Sequence, residues 1–398
     1  MYKSQQEKDA NELGPLEIMT KPNVVIVYAG TKFKNGVDTG QPCVVVGVKN
    51  KVHKSHLSPD DLIPARLSSG SATDVVLFPR IKAVGTCVVG ATDACPPHGD
   101  RYRPLVGGIS ASAPPPPGFI NAGTLGIVVR DSTDGSLVGL TNNHVCGIQY
   151  DTNFKTPTVG HQSVLGTGIM QPSSWEGGTE ANDTFGYVKR IIPIKFDFPD
   201  FNALNTVDCG IADIQVSEAA AGILEIGGGP FVFAAKSEYD VGTDVQKSGR
   251  TTGLTPSIYG TDAKINQTNV AIVIEYGPDD LDKAMFVDQI WIVSDARFSQ
   301  GGDSGSVIIT GTGVDAKVIG LLFAASDDGL NTFANHIADV SSTLQIEQWD
   351  GSIVVARNAA NVISVNGVCY IRQADTSDPI THSVGDTFAD CDECNSQI

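Results

Sequence analysis

The chain has few positively charged residues for its size, and its net negative charge argues against some classes of binding partner. Its 398 residues include 27 lysines and arginines against 45 aspartates and glutamates, which gives a formal net charge of −18. A surface of this charge repels both nucleic acids and anionic lipids. We therefore expect no nucleic-acid partner and no membrane partner.

Long apolar runs are also missing, and cysteines are few. No run approaches the roughly 18 apolar residues of a membrane-spanning helix. Residues 1–10 (MYKSQQEKDA) are polar, without the apolar core of a secretory signal. Eight cysteines among 398 residues are too few for a disulfide scaffold. These absences predict a soluble protein that is made and kept in the cytoplasm.

Turn-forming residues, by contrast, are abundant. The chain has 43 glycines and 21 prolines with short Val/Ile runs between them, a pattern typical of many short strands joined by turns. The fold class is therefore predicted to be mostly β. Within it, residues 147–200 have the polar, Gly/Pro-rich composition of a long loop. Composition predicts five segments: a flexible tail (1–21), a small N-terminal α/β domain (22–110), a first β-barrel (111–225), a second β-barrel with a closing helix (226–348) and a small C-terminal β appendage (349–398).

The segment 301–306 (GGDSGS) has a composition that a turn alone does not require. A turn needs one or two glycines, but not an Asp-Ser pair between glycines directly before an apolar strand. Acyl transfer by an activated serine does need this pattern, because the hydroxyl must project from a tight turn toward converging backbone N–H groups. A Gly-rich turn in an ordinary β protein is the alternative. The catalytic interpretation requires a base elsewhere in the chain.

Two other stretches supply the groups that an activated serine needs. His144 follows a predicted strand among small polar residues, where an imidazole is well placed to act as a base. Asp208 and Asp213 are five residues apart in an apolar strand, so on a regular strand they face opposite sides and only one can reach a catalytic centre. The order His144, Asp208, Ser304 is that of the chymotrypsin-like class.

The combined motifs resemble the narrow-leaf type of trypsin-like serine peptidase, which occurs in plants and, in shorter forms, in bacteria. The likeness spans about residues 22–345. It is carried by 100–110 (DRYRPLVGGIS), 122–126 (AGTLG), 142–145 (NNHV), 207–208 (VD), 249–255 (GRTTGLT) and 302–306 (GDSGS). The resemblance implies a chymotrypsin-like double β-barrel and favours Asp208 over Asp213. Cys146 and Cys209 depart from the family pattern without removing a catalytic group.

By this resemblance the chain is a serine endopeptidase acting on protein or peptide substrates. His144 would take the proton of Ser304 during attack, and Asp208 would orient the imidazole. The N–H groups of Gly302 and Ser304 would form the oxyanion hole. Asp303 is expected to hold the turn rather than to react.

The resemblance also places a substrate pocket. Phe298 and Ser299 would line its floor, with Phe323 and Ala325 along its wall. No acidic residue stands at the floor, which argues against a preference for Arg or Lys. Small or medium apolar substrate side chains are expected instead.

The C-terminal segment contains a set of metal-ligand residue types. Cys369, His382, Cys391 and Cys394 could supply a Cys₃His zinc site. A disulfide or free thiols explain the same residues, and one Cys-x-x-Cys pair does not decide between them. We expect no cofactor and no metal in the catalytic site.

Two other functions fit the same sequence. A non-catalytic binding or assembly protein on this fold is favoured by the extra β appendage and the acidic surface. A self-processing peptidase is the other alternative, with the proline-rich loop 114–117 or the appendage as its substrate. Assembly into a homo-oligomer is left open.

Overall fold

A computed structural model describes residues 3–83, 97–115, 122–147, 165–196, 204–216, 219–277 and 283–349, together with the two strands 362–365 and 368–371. Four α-helices lie in these ranges: α1 (Gln5–Glu17), α2 (Asn143–Cys146), α3 (Glu180–Asp183) and α4 (Ile337–Leu344). Single 3₁₀ turns lie at Lys54–His56, Pro59–Asp61, Ser174–Glu176, Lys236–Glu238 and Gly313–Asp315. Among the described residues, no helix combines the length and the apolar character needed to cross a membrane.

Strands dominate the described chain. The N-terminal segment contributes β1 (Val24–Lys34), β2 (Val37–Val48), β3 (Thr73–Leu77) and β4 (Ile81–Ala83). The next segment contributes β5 (Leu105–Gly107), β6 (Ile109–Ala111), β7 (Gly123–Leu125), β8 (Ile127–Asp131), β9 (Leu137–Thr141), β10 (Gly168–Met170), β11 (Thr184–Ile191), β12 (Gly210–Asp213) and β13 (Ala219–Ile223).

The remaining strands follow in chain order. They are β14 (Val232–Phe233), β15 (Gln246–Gly249), β16 (Gly253–Thr255), β17 (Ala263–Glu275), β18 (Lys283–Ser294), β19 (Val307–Thr310), β20 (Lys317–Ser326), β21 (Asn331–His336), β22 (Ile346–Glu347), β23 (Val362–Val365) and β24 (Val368–Ile371). The prediction of a mostly β fold is confirmed. The expected closing helix is α4.

Two sheets carry most of these strands. The described part of the large sheet has the order β16-β15-β19-β20-β21-β18-β17-β1-β2-β3, with β14 paired to β20 and β4 paired to both β17 and β20. The small sheet has the order β10-β11-β12-β9-β8-β22. Three further two-stranded sheets pair β5 with β13, β6 with β7 and β23 with β24. β10 and β11 lie inside the expected loop 147–200, where Phe185 and Val188 of β11 are buried.

The two sheets share one apolar core. Val129 and Ile211 of the small sheet are buried in the same cluster as Val307 and Leu321 of the large sheet. Helix α4 covers this cluster with three side chains at helical spacing, Ile337, Val340 and Leu344. The sheets therefore stabilise each other through shared packing.

The N-terminal strands continue the large sheet. β1 pairs antiparallel with β17, with Ile26 opposite Ile272, and β2 and β3 follow outward. Val25, Ile26 and Val27 are all buried, because this run packs on both of its faces. The boundaries of the five predicted segments remain predictions, but backbone hydrogen bonds join residues 24–48 to the large sheet.

A flexible tail was predicted for residues 1–21, and this prediction is wrong for residues 5–19. The polar sequence forms α1, whose N-terminus is capped by the Ser4 hydroxyl, which accepts from the Glu7 N–H at 3.1 Å. Ala10, Ile18 and Met19 are buried in one cluster with β1, β2 and β17. Few apolar residues sufficed because the helix covers a sheet face rather than forming a core of its own.

Candidate active site

His144 lies just after strand β9 of the small sheet. β9 ends at Thr141 and the chain turns directly into α2, which carries the imidazole. The side chain is 9% exposed, and its Nδ1 lies 2.5 Å from Asp208 Oδ2. The His144 backbone N–H donates to Asp208 Oδ1 at 3.2 Å. Both carboxylate oxygens therefore hold the same histidine.

Asp208 is fully buried and densely hydrogen-bonded. It lies two residues before β12, rather than within a strand as expected. Its N–H donates to Asn335 Oδ1 at 2.9 Å, and its carbonyl accepts from Asn142 Nδ2 at 2.7 Å. Asp213 ends β12 and accepts from the Tyr187 N–H and Gln215 Nε2 instead. The geometry brings Asp208 to His144 and leaves Asp213 apart.

Tyr276 is part of this site, although sequence reasoning missed it. Its hydroxyl donates to Asp208 Oδ2 at 2.8 Å, and its ring meets the His144 ring edge-on with centroids 5.7 Å apart. Burial and the neighbouring Asp208 charge raise the pKa of Tyr276 well above its ordinary value, so the phenol stays a donor. An aromatic residue after a strand has no sequence signal that distinguishes this role from core packing.

Two thiols adjoin the same carboxylate. Cys146 ends α2 and Cys209 follows Asp208, and both are buried and free. Burial, reinforced by the Asp208 charge, raises the pKa of each thiol well above its ordinary value. Neutral thiols pack as small apolar groups. Cys146 and Cys209 therefore leave the charge of the site unchanged.

Ser304 lies in a tight turn between two glycines of positive φ. Gly302 has φ +97° and Gly305 has φ +95°, values that residues other than glycine rarely adopt. Among the described residues, neither the Gly302 N–H nor the Ser304 N–H donates to a protein acceptor. The turn thus presents two free donors next to a serine hydroxyl, as an oxyanion hole requires.

The serine hydroxyl and the imidazole are not hydrogen-bonded to each other. Ser304 Oγ donates to the Phe323 carbonyl at 3.3 Å. The buried His144 Nε2 has no hydrogen-bond partner within the described part of the chain. The structure therefore contains the His144–Asp208 pair with the imidazole's second nitrogen unused, and a serine whose hydroxyl points to a backbone carbonyl.

Asp303 holds the turn from inside, in agreement with its expected role. Its carboxylate accepts from the N–H groups of Thr251 and Thr252 at 2.9 and 3.1 Å and from that of Gln300 at 2.9 Å. Lys247 Nζ, which is fully buried, lies 3.5 Å from Asp303 Oδ2. Burial lowers the pKa of Lys247 even though the Asp303 charge opposes that change.

The expected pocket residues are packed into the interior. Phe298, Ser299, Phe323 and Ala325 are each at most 1% exposed. Ser299 Oγ shares a hydrogen bond of 2.6 Å with Thr332 Oγ1. Phe298 and Phe323 belong to two different apolar clusters. Their assignment to a substrate pocket remains a prediction.

The residues proposed for zinc fall largely outside the described chain. Cys369 lies in β24, and His382, Cys391 and Cys394 lie outside the described residues. Within the described ranges, no group of three or more His, Cys, Asp or Glu side chains has an arrangement that could hold a metal ion. The choice between zinc, disulfide and free thiols stays open.

No protein-family model matches the chain. It is 26% identical over 328 residues to the Protein NARROW LEAF 1 of Oryza sativa subsp. japonica, a match that covers 75% of this chain and 50% of that protein. The chain therefore spans about half the length of this relative.

Solved structures of serine proteases align with part of the chain. A glutamic acid-specific serine protease aligns with 62% of this chain and 100% of its own, at 16% identity and a TM-score of 0.39. Cellulomonas bogoriensis chymotrypsin aligns with 62% of this chain and 99% of its own, at 16% identity and a TM-score of 0.38. Thermobifida fusca protease A gives the same coverage at 18% identity and a TM-score of 0.37.

Proposed function

We propose that this protein is a serine endopeptidase that hydrolyses peptide bonds through an acyl-enzyme intermediate. One observation carries the proposal: a buried carboxylate holds the imidazole of His144 by Nδ1 while Nε2 is left without a partner among the described residues. A histidine held in this way has its second nitrogen available as a base. The glycine-framed Ser304 turn supplies the nucleophile.

The proposed reaction begins with a rotation of the serine side chain. Ser304 Oγ leaves the Phe323 carbonyl, to which it is bonded at 3.3 Å, and donates to His144 Nε2. The rotation takes a donor from the Phe323 carbonyl and gives one to His144 Nε2, and each such neutral hydrogen bond contributes about 0.5–1.5 kcal/mol. His144 then takes the hydroxyl proton as Oγ attacks the substrate carbonyl carbon.

The tetrahedral intermediate collapses when His144 returns this proton to the leaving amine, which breaks the C–N bond and leaves an ester on Ser304. Water, deprotonated by His144, then attacks the ester carbonyl; the bond from the acyl carbon to Ser304 Oγ breaks, the acid is released and His144 returns its proton to Oγ. In both steps the Gly302 and Ser304 N–H groups bind the oxyanion, and each donor of this kind lowers the barrier by about 2.7–4 kcal/mol. Asp208 stabilises the imidazolium that forms in each step.

A fluorophosphonate probe tests the proposal because it reacts much faster with an activated serine than with an ordinary one. We expect covalent labelling of the wild type at one serine and none of Ser304→Ala. His144→Ala should label at a rate reduced by about the same factor as removal of the whole triad, since triad members act as a unit. Ser306→Ala is the matched control and should label normally. Ser306 lies in the same turn, but its hydroxyl donates to the Asp303 carbonyl. Equal labelling of wild type and Ser304→Ala would contradict the proposal.

The arrangement of Ser304 also favours a second candidate, a non-catalytic binding protein on the same fold. The hydroxyl is bonded to the Phe323 carbonyl rather than to His144, and the expected pocket side chains are buried. This candidate predicts that the wild type does not label and that peptides bind with equal affinity to wild type and Ser304→Ala. Calorimetric titration of both proteins with a peptide library, beside the labelling assay, separates the two functions.

A further inference from the structure

Tyr276 connects the catalytic pair to the N-terminal strands. It directly follows β17, and its hydroxyl donates to Asp208 Oδ2 at 2.8 Å. The same oxygen lies 2.5 Å from His144 Nδ1. The phenol therefore holds the carboxylate oxygen that orients the imidazole.

The residue before Tyr276 is fixed from the other side. Glu275 ends β17, and its side chain is only 5% exposed. Lys49 Nζ lies 2.5 Å from its Oε1, and the Arg80 guanidinium contacts Oε2 through Nε at 3.0 Å and Nη2 at 2.5 Å. Burial alone would raise the pKa of Glu275, but the Arg80 and Lys49 hydrogen bonds outweigh it and lower the pKa. The carboxylate is therefore charged and doubly paired.

Both cations come from the N-terminal segment. Lys49 immediately follows β2, and Arg80 lies between β3 and β4. Their side chains are 26% and 53% exposed, whereas the carboxylate between them is almost fully buried. The aromatic rings of Phe196 and Phe286, 5.3 and 6.3 Å from the Tyr276 ring, pack around the phenol. Two cations therefore pair with Glu275 at the end of β17, and two aromatic rings pack against Tyr276, the next residue.

We propose that Tyr276 is a positioning residue for the His144–Asp208 pair, and that the Lys49–Glu275–Arg80 bridge makes its placement depend on the N-terminal strands. This inference rests on the proposed peptidase function. It assigns the N-terminal segment a role in the chemistry, because strands β2 to β4 then support a side chain that touches the catalytic carboxylate.

The phenol has two effects on the pair. Its hydrogen bond restrains Asp208, and it withdraws negative charge from the oxygen that faces His144. The titratable groups that face this carboxylate are His144, Tyr276 and the thiols of Cys146 and Cys209. The phenol and the thiols have raised pKa values and stay neutral over the range in which an imidazole titrates. Loss of the phenolic hydroxyl should therefore shift the acidic limb of the rate profile toward higher pH, because the imidazolium then faces a stronger negative charge.

Tyr276→Phe is the direct test, since it removes the hydroxyl and keeps the ring packing. We expect kcat on a peptide substrate to fall about ten- to a hundred-fold, the range for one hydrogen bond to a charged group, with little change in KM. The acidic limb of the kcat/KM profile should move to higher pH. Wild-type values of kcat and of the pH profile in Tyr276→Phe would overturn the assignment.

The Lys49–Glu275–Arg80 bridge is tested by comparing Glu275→Gln alone with Glu275→Gln combined with Tyr276→Phe. Glu275→Gln should fold, because the two cations that it frees are already partly exposed and can return to water. It should lower kcat in the wild-type background and have no further effect in Tyr276→Phe. Lys82→Met is the matched control: Lys82 pairs with Glu275 through the backbone only, while its side chain bonds Asp327. Independent, multiplicative losses in the double variant would overturn the coupling through Tyr276.

A readout that does not need turnover separates this inference from the proposed function. A proton shared over the 2.5 Å between His144 Nδ1 and Asp208 Oδ2 should give a far-downfield NMR resonance in the intact protein. We expect this resonance to move in Tyr276→Phe and in Glu275→Gln, and to stay in place in Lys82→Met. If the wild type lacks peptidase activity but the resonance moves, positioning stands while the peptidase proposal fails. An unmoved resonance in an active enzyme would refute the positioning role alone.

Discussion

The buried Lys247–Asp303 pair allows a quantitative test of how the serine turn is held. Lys247 and Asp303 are both 0% exposed, with Nζ and Oδ2 3.5 Å apart. Removing one member of a buried pair costs about 3–5 kcal/mol, because the other charge is left uncompensated. The loss of unfolding free energy in Lys247→Met should lie at the lower end of this range. Asp303 keeps the N–H donors of Thr251, Thr252 and Gln300 in that variant.

The double variant distinguishes the pair from its separate members. Lys247→Met/Asp303→Asn buries no charge at this position, so its loss of stability should be smaller than the sum of the single losses by about 2 kcal/mol. Urea unfolding followed by the fluorescence of the three tryptophans measures all four proteins. Additive losses, within about 0.5 kcal/mol, would refute the claim that the two charges stabilise each other.

The same pair predicts a pH dependence whose sign follows from the lowered pKa of Lys247. In the unfolded chain the ammonium keeps its proton up to about pH 10.5, and in the folded protein it loses this proton at a lower pH. Folding releases a proton between these two values. The free energy of unfolding of the wild type should therefore rise relative to Lys247→Met as pH increases through this window. A difference that stays constant up to pH 10.5 would show that Lys247 titrates normally.

Two further predictions concern a remote carboxylate and the oxyanion glycine. Burial alone would raise the pKa of Asp131, but its hydrogen bond to Lys189 and others lower it from 3.8 to about 2. Asp131→Asn should thus remove roughly 2 kcal/mol of unfolding free energy at pH 7, a loss that vanishes as pH falls from about 4 to 2. Asp134→Asn, which removes an exposed partner of the same lysine, is the control for urea unfolding and should change little. Gly302→Ala should label with fluorophosphonate at least tenfold more slowly, because φ is +97° and the added carbon would overlap the Thr251 hydroxyl; wild-type labelling would contradict this.

The parts of the site with local chemical signals were predictable from the sequence. The glycines around Ser304 predict a tight turn, and the structure has positive φ at Gly302 and Gly305. The position of His144 after a strand was predicted as well, whereas Asp208 was predicted inside a strand and instead lies two residues before β12. Helix α4 was also predictable, because its apolar residues recur at i, i+3 and i+7.

The residues that position the site could not be predicted, because their partners are distant in sequence. Lys247 and Asp303 are 56 residues apart and Tyr276 and Asp208 are 68 apart. A lysine in the segment 245–249 is ordinarily expected in solvent. Only the pairing of β15 with β19, which sets Lys247 opposite Ile308, brings its ammonium under the serine turn.

The pairing of the N-terminal strands with the large sheet could not be predicted for a related reason. A strand that joins an existing sheet and a strand that starts a new domain have the same local pattern of β-branched residues. The distinction lies in the partner strand, and Ile26 faces Ile272 across 246 residues of chain. Likewise the polar helix α1 has too few apolar residues to signal burial, yet it covers the sheet that β1 extends.

The geometry of the site makes its two halves depend on each other. His144 and Asp208 extend from the small sheet, but Asp208 is held by Asn335 of β21 and by Tyr276 after β17, both from the large sheet. The serine turn precedes β19 of the large sheet, but Thr124 of β7 holds it from the other half. The Thr124 hydroxyl donates to the Gly302 carbonyl, and the Thr124 N–H donates to the Ser304 carbonyl, each at 2.8 Å. Because each half supplies the supports of the other's reactive groups, a stable fragment of either half alone would carry its reactive residues without the contacts that orient them.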